Sequence, residues 1–236
     1  MNRNVIVTGG TKGIGAAISE YFINAGDRVC AVYSSDYAAA EALSQRLGTS
    51  SLVLVKADVT DLDAVTVLYN EIYKLFGSID ISVHSAGVEL SKMLAMTTAE
   101  EWNRVIGVNL TGVFNCSKCA LKKMIVKKHG RIINISSVAA ELPNVGQAAY
   151  AASKAGVNAL TAALAKEAAP FGITVNAVAP AYIRSEMSAP YEDKFKASVP
   201  MKRFGEPKEV ASLVGYLASD DAAYITGSVY KIGGGL

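Results

Sequence analysis

The sequence predicts an α/β fold, a single doubly wound parallel sheet with helices on both faces. Two features predict it. Short β-branched apolar segments alternate with helix-length amphipathic segments along the whole chain, and several of those strands are apolar on both faces, as strands covered from both sides are. Strict alternation of strand and helix implies right-handed crossovers and parallel neighbours. The strands are read at Asn4–Thr8, Arg28–Tyr33, Leu52–Lys56, Ile79–His84, Arg131–Ser136, Thr174–Ala179 and Ser228–Ile232. The helices are read near Ile14–Ala25, Tyr37–Leu47, Leu62–Phe76, Ala99–Lys128, Ala149–Ala169 and Pro207–Ala218. A length of 236 residues suits one domain spanning 1–236. The least regular stretch, 182–200, follows a strand and is read as a substrate lid.

Composition excludes several classes of function. A net charge of +2 gives no argument for nucleic acid or for an anionic membrane surface. No apolar run approaches the roughly 18 residues of a membrane span. Met1-Asn2-Arg3-Asn4 leads straight into a strand with no leader pattern. Three cysteines, an odd number, fit a reducing cytoplasm rather than a disulfide framework. Cys116 and Cys119 form a C-x-x-C inside a helical pattern, with no second pair, and read as helix residues rather than a redox or zinc site; no metal is expected. Lys122, Lys123, Lys127, Lys128 and Arg131 form a local basic cluster whose plainest reading is a solvated helix end.

The first strand runs into Thr8-Gly9-Gly10-Thr11-Lys12-Gly13-Ile14-Gly15, and a helix follows. Glycines there allow a tight turn and close approach of backbone to phosphate, while the free N–H groups of the next helix face a pyrophosphate. Its place between the first strand and first helix makes this a Rossmann-like dinucleotide site. Selection of NAD uses an acid at the end of the second strand. Here the strand ends in Tyr33-Ser34-Ser35 with no carboxylate at that place; Asp36 falls later, on the loop. A carboxylate repels a 2′-phosphate, whereas the Ser34 hydroxyl and the Lys12 ammonium do not.

The fifth strand delivers Ser136 and Ser137 at its C-terminal edge, where open α/β sheets bind ligands. Ser137 there can hydrogen-bond a carbonyl oxygen. Thirteen residues on, Tyr150 and Lys154 are spaced to share one helix face. A cation beside a phenol favours the phenolate, so the expectation is a tyrosine pKa drawn from about 10 toward 7, an effect of about 4 kcal/mol. Asn109 lies mid-helix, where asparagine is an unfavourable residue.

These motifs together resemble the short-chain dehydrogenase/reductase family, over Asn4 to Gly235. The T-G-x-x-x-G-x-G turn (Thr8–Gly15), Asn109, Ser137, Tyr150 and Lys154 carry the resemblance. Val199–Glu206 and Tyr224–Gly227 most resemble β-ketoacyl-[acyl-carrier-protein] reductases. The resemblance implies NADP(H) as cofactor, with Lys12 at the basic position of NADP-using members and Asp58 as the adenine contact. It further implies cofactor contacts from Gly9, Gly10, Thr11, Gly13, Ile14, Gly15, Ser34, Val59, Ser85, Ala86, Gly87, Tyr150, Lys154, Ile183 and Ser185. The implied reaction is reduction of a ketone: hydride passes to the carbonyl carbon, Tyr150 donates the proton and Ser137 holds the oxygen. Lys154 stabilises the phenolate and holds the nicotinamide ribose, and Asn109 distorts its helix and anchors a water leading to the lysine. A homotetramer in the cytoplasm is also implied.

Three departures qualify the match. The family's N-N-A-G reads His84-Ser85-Ala86-Gly87, which removes an asparagine brace. Its P-G reads Pro180-Ala181, a cost of about 1 kcal/mol if the glycine has positive φ. Its threonine near the nicotinamide amide reads Ser185. The substrate wall is expected from Glu89–Met96 and Tyr182–Met201, with Met93, Met96, Met187, Tyr191, Phe195 and Met201 as lining or as plain core. The substrate is a ketone or an acyl thioester, with an acyl carrier protein as the implied partner. Carriers are acidic and need a basic patch beside the cleft. Of the two docking positions of fatty-acid-synthesis relatives, one aligns with Lys128 and the other with uncharged Phe171. With Glu89 added near the cleft, this suggests a ketoreductase specialised toward a dedicated carrier or a free small ketone. The rivals are an oxidative alcohol dehydrogenase on a small or cyclic substrate and a dinucleotide-binding regulator without turnover.

Overall fold

The computed structural model describes residues 2–185, 188 and 192–236. Seven strands, β1 (Asn4–Thr8), β2 (Arg28–Tyr33), β3 (Leu52–Lys56), β4 (Ile81–His84), β5 (Gly130–Ile135), β6 (Ile173–Pro180) and β7 (Val229–Ile232), form one sheet in the order β3-β2-β1-β4-β5-β6-β7. Every pairing is parallel. The strand order reverses between β1 and β4, and that switch point opens a crevice at the C-terminal strand ends.

Alternation within each strand divides the core between the two faces. Ile6, Cys30 and Ile132 pack under helices α3 (Leu62–Phe76), α5 (Gly112–Lys127) and α6 (Ala148–Ala168). Val5, Val7, Val29 and Ile133 pack under α1 (Gly13–Asn24) and α8 (Pro207–Leu217). Helix α2 (Tyr37–Leu47) covers a smaller cluster of Ala16, Ala31 and Leu43. Caps fix several ends: Asp61 accepts from Asp63 N and Ala64 N at the start of α3, and Gly77 closes it in the left-handed region.

Two differences from the sequence reading bear on the site. Residues 99–128 are not one helix. Helix α4 (Ala99–Ile106) passes through a π-helical turn, Gly107–Thr111, before α5 begins. A short helix, α7 (Glu192–Phe195), lies within 182–200, followed by a 3-10 turn over Lys196–Ser198. All three cysteines are buried and unpaired, and burial pushes the Cys30 and Cys116 thiols up to about 12, as inert core residues require. Among the described residues no helix is long and apolar enough to cross a membrane, and no cluster of histidine, cysteine and carboxylate residues suits a metal.

Candidate active site

The turn after β1 is shaped for a phosphate. Gly9 (φ +63°) is pressed against the turn after β4, where an added Cβ would lie 2.8 Å from Ala86 Cα. A Cβ on Gly15 would meet Gly9 O at 2.0 Å. Gly13 (φ +54°) faces open space, with no heavy atom within 4 Å of its would-be Cβ. No side chain caps the N-terminus of α1, so its first N–H groups remain available to an anion. This cradle fits a dinucleotide pyrophosphate. Gly10 anchors it: its N–H donates to Val32 O (3.0 Å) and its carbonyl accepts from Ser19 Oγ (2.8 Å). Thr11 is buried, and Ile14 packs on the core beneath α1.

At the outer end of the cradle, Asp36 stands where the sequence places it, on the loop after β2, as the last residue before α2. It caps α2, accepting from Ala39 N at 3.1 Å, and its other oxygen pairs with Lys12 Nζ at 3.1 Å. Ser34 and Ser35 bring no charge to this end. Asp58, exposed after β3, accepts from both N–H and Oγ of Thr60 at 2.9 Å, and the neighbouring Val59 is buried with its carbonyl bonded by Asn115 Nδ2 (2.9 Å).

The turn after β4 is braced in two ways. Ser85 N donates to Thr8 O at 3.2 Å and Ala86 N to Thr8 Oγ1 at 3.4 Å, tying it to β1. The brace expected to be lost at His84 is replaced by a buried relay. Tyr69 OH bonds Ser82 Oγ (2.7 Å), Ser82 Oγ bonds His84 Nε2 (2.9 Å), and His84 Nδ1 bonds Asn134 Oδ1 (2.8 Å). Asn134 Nδ2 then donates to Thr161 Oγ1 (2.9 Å) on α6. Burial holds the His84 imidazole neutral, with its pKa pushed down to about 4. Sequence reading missed this relay because its members lie on two strands and two helices, joined only by strand register.

Asn109 explains the π-helical turn. Its side chain turns off the helix to accept from Val88 N (2.8 Å) and to donate to Val88 O (2.9 Å) and Ser153 Oγ (3.1 Å). One fully buried amide therefore ties the turn after β4 to α6, one residue from Lys154. Gly87 lies between: a Cβ there would be 3.4 Å from Asn109 Oδ1 and 3.7 Å from Lys154 Nζ.

Ser137 follows β5 in extended conformation, its Oγ accepting from Ala139 N at 3.1 Å. Tyr150 stands on the first turn of α6, and Lys154 one turn on, with Nζ 5.7 Å from the phenol ring centre. Lys154 Nζ donates to Ile135 O at 2.8 Å. The three side chains thus meet at the C-terminal end of β5, beside the glycine turn. The expected depression of the phenol is not what this arrangement produces. Burial raises the Tyr150 pKa, a hydrogen bond with Ser137 lowers it, and the Glu89 carboxylate raises it again. Lys154 is itself desolvated, down to about 8. The phenol is therefore protonated through neutral pH, and the ammonium still carries its charge there.

Around this centre, Glu89 accepts from Gln147 Nε2 at 2.9 Å, and Asn144 Nδ2 donates to Tyr182 OH at 3.2 Å. The Tyr182 ring stacks between Phe195 (5.5 Å) and Phe204 (5.2 Å). Arg184 pairs with Glu192 at 2.6 Å and with Glu206. Ile183 is buried and bridges to Gly205, and Ser185 N donates to Ser188 Oγ at 2.8 Å. Met93, Met96 and Met201 are exposed rather than core. Met187 and Tyr191 lie outside the described residues. Ala181 carries no penalty, because among the described residues only Lys128 and Lys202 have positive φ without being glycine.

The basic docking positions are not beside the cleft of the same chain. Lys128 closes α5 just before β5, and Phe171 packs on the core just before β6. The two adjoin, since a Cβ on Gly172 would lie 2.7 Å from Lys128 O. Both sit at the N-terminal ends of their strands, roughly 17 Å of strand away from Ser137 at the 3.3 Å rise of a parallel strand.

Fold and site together define a dinucleotide-binding α/β domain with a serine, tyrosine and lysine arranged for proton transfer. A family model described as Enoyl-(Acyl carrier protein) reductase matches residues 9–236. The 3-oxoacyl-[acyl-carrier-protein] reductase FabG of Haemophilus influenzae is 44% identical over 235 residues, covering 98% of this chain and 96% of that protein. The protein of the same name from Staphylococcus aureus is 40% identical over 243 residues, covering 100% and 98%. A solved structure described as "Crystal structure of gox2181" superposes with a TM-score of 0.95 at 35% identity, covering 99% of this chain and 95% of that one. The chain belongs to the short-chain dehydrogenase/reductase family, which uses nicotinamide dinucleotides.

Proposed function

We propose that this protein reduces a ketone using NADPH, and that the ketone is a 3-oxoacyl thioester carried on an acyl carrier protein. The observation that carries the reading is the meeting of Ser137, Tyr150 and Lys154 at the end of β5, next to the glycine cradle. When bound, the nicotinamide supplies hydride to the carbonyl carbon. The Tyr150 hydroxyl gives its proton to the carbonyl oxygen as negative charge develops there. Ser137 Oγ holds that oxygen. Lys154 stabilises the phenolate left behind and holds the nicotinamide ribose. Asn109 ties Ser153, and hence the first turns of α6, to Val88 in the turn after β4. A phenol whose pKa is raised rests in the protonated form, which is the form reduction consumes.

The name shared by the curated relatives supports the 3-oxoacyl substrate, and Lys12 beside a strand end lacking a nearer acid supports NADPH. Uncharged Phe171 supports a weaker carrier requirement than two basic positions would give. The test is turnover with NADPH of one acyl chain presented as 3-oxoacyl and as 2-enoyl thioester, each on a carrier protein and on a short thiol mimic. The 3-oxoacyl forms are expected to react, with a modest carrier preference. Turnover confined to the enoyl forms, or dinucleotide binding with no turnover on any ketone, would overturn the reading.

A further inference from the structure

The reacting centre faces a carboxylate that the proposed mechanism does not use. Glu89 follows the turn after β4, and the backbone before it is fixed, because the N–H and the carbonyl of Val88 are both held by the Asn109 side chain. Beyond it, Lys92 N donates to Gly146 O at 2.9 Å, so this segment lies against the loop that enters α6. Gln147, the residue before α6, donates from Nε2 to Glu89 Oε1 at 2.9 Å. The carboxylate is thus held beside the first turn of the helix that carries Tyr150, and its charge reaches the phenol. Among the described residues no lysine or arginine pairs with Glu89. Lys92 is spent on Glu101 at 2.8 Å, and the buried Lys154 ammonium on Ile135 O at 2.8 Å.

We propose that Glu89 is a specificity-determining residue, a charge filter that turns away 3-oxo acids in their free, ionised form and admits 3-oxoacyl groups whose carboxyl is masked as an uncharged thioester. The inference rests on the ketone-reductase reading above. In a 3-oxo acid one methylene separates the ketone carbon from the carboxyl carbon. A ketone placed against Tyr150 therefore brings its own carboxylate into the field that already acts on the phenol. Like charges held several ångströms apart in a partly wet cleft repel, and the acid loses transition-state binding that the thioester keeps. The bonds that fix this segment do not need the charge, since a glutamine oxygen would accept from Gln147 as a carboxylate does.

The test compares kcat/KM with NADPH for acetoacetate, acetoacetamide and the N-acetylcysteamine thioester of 3-oxobutanoate, in the wild type, Glu89→Gln and Glu89→Lys. Acetoacetate and acetoacetamide are nearly isosteric and differ in charge. The phenol serves every substrate alike, so the amide-to-acid ratio separates the filter from the action of Glu89 on Tyr150. Glu89→Gln is expected to lower the amide-to-acid and thioester-to-acid ratios about 5-fold, Glu89→Lys to lower them further, and added salt to shrink both changes. Ratios unchanged in Glu89→Gln overturn the filter. Equal loss of turnover on all three substrates in Glu89→Gln also overturns it and makes the residue a brace. A wild-type protein that reduces none of the three overturns the ketone-reductase reading and the filter with it.

Discussion

The two ends of the cofactor crevice are built on opposite principles. At the reacting end, Asn109, Ser153 and Lys154 are buried, and each has defined partners. Among the described residues no buried side-chain nitrogen or oxygen lacks a hydrogen bond. At the adenosine end, Lys12 and Asp36 form a pair open to solvent. A buried polar group left without its partner costs about 1–3 kcal/mol, whereas an exposed ion pair contributes about 0–1 kcal/mol. The reacting end is therefore held in a single geometry, and the adenosine end can exchange partners with a ligand. On the proposed function, rigidity is placed where bonds change and the exposed charges lie at the adenosine end.

Substitutions should expose that contrast, with the largest effect at Tyr150. Tyr150→Phe is expected to lower kcat by about 10²–10⁴-fold while leaving dinucleotide affinity nearly unchanged, because the hydroxyl acts on the transition state and the ring fills space. Steady-state kinetics paired with a binding titration check it, and retention of most of kcat would place the proton donor elsewhere.

The His84 relay supports the same rigid end, and acid should loosen it. The folded pKa of about 4 lies below the ordinary 6.5, so as pH falls below 6.5 the unfolded chain takes up a proton that the folded chain refuses. Stability present above pH 6.5 is then lost toward pH 4, by about 3 kcal/mol at about 1.4 kcal/mol per unit. Denaturant unfolding across this window should show a steeper acid loss for the wild type than for His84→Asn, which has nothing to titrate there. Parallel curves would remove His84 from the account.

The smallest effect is expected from Glu89, which is exposed yet acts on the phenol. Its charge raises the Tyr150 pKa. Glu89→Gln should move the alkaline limb of kcat/KM for reduction to lower pH, since reduction needs the protonated phenol, and added salt should shrink the shift. A limb that stays in place, or moves to higher pH, would show that Glu89 does not reach the reacting group.

Much of this molecule is legible in its residue order. The first three strands stand where β-branched apolar runs mark them, because a strand covered on both faces leaves an unbroken local signature. The glycine turn and the four-residue step from Tyr150 to Lys154 are equally local, set by backbone freedom and helix pitch. The tertiary structure alone decided the rest. Asn109 bends its helix only because Val88 and Ser153 lie within its reach. Asp36 finds Lys12 because β1 and β2 are register neighbours, though 24 residues separate the pair in sequence. His84 is braced by residues from β4, β5, α3 and α5. The phenol rises instead of falling because burial outweighs what spacing suggests. Spacing reports which groups share a face; burial and the partners brought by other elements decide their charge.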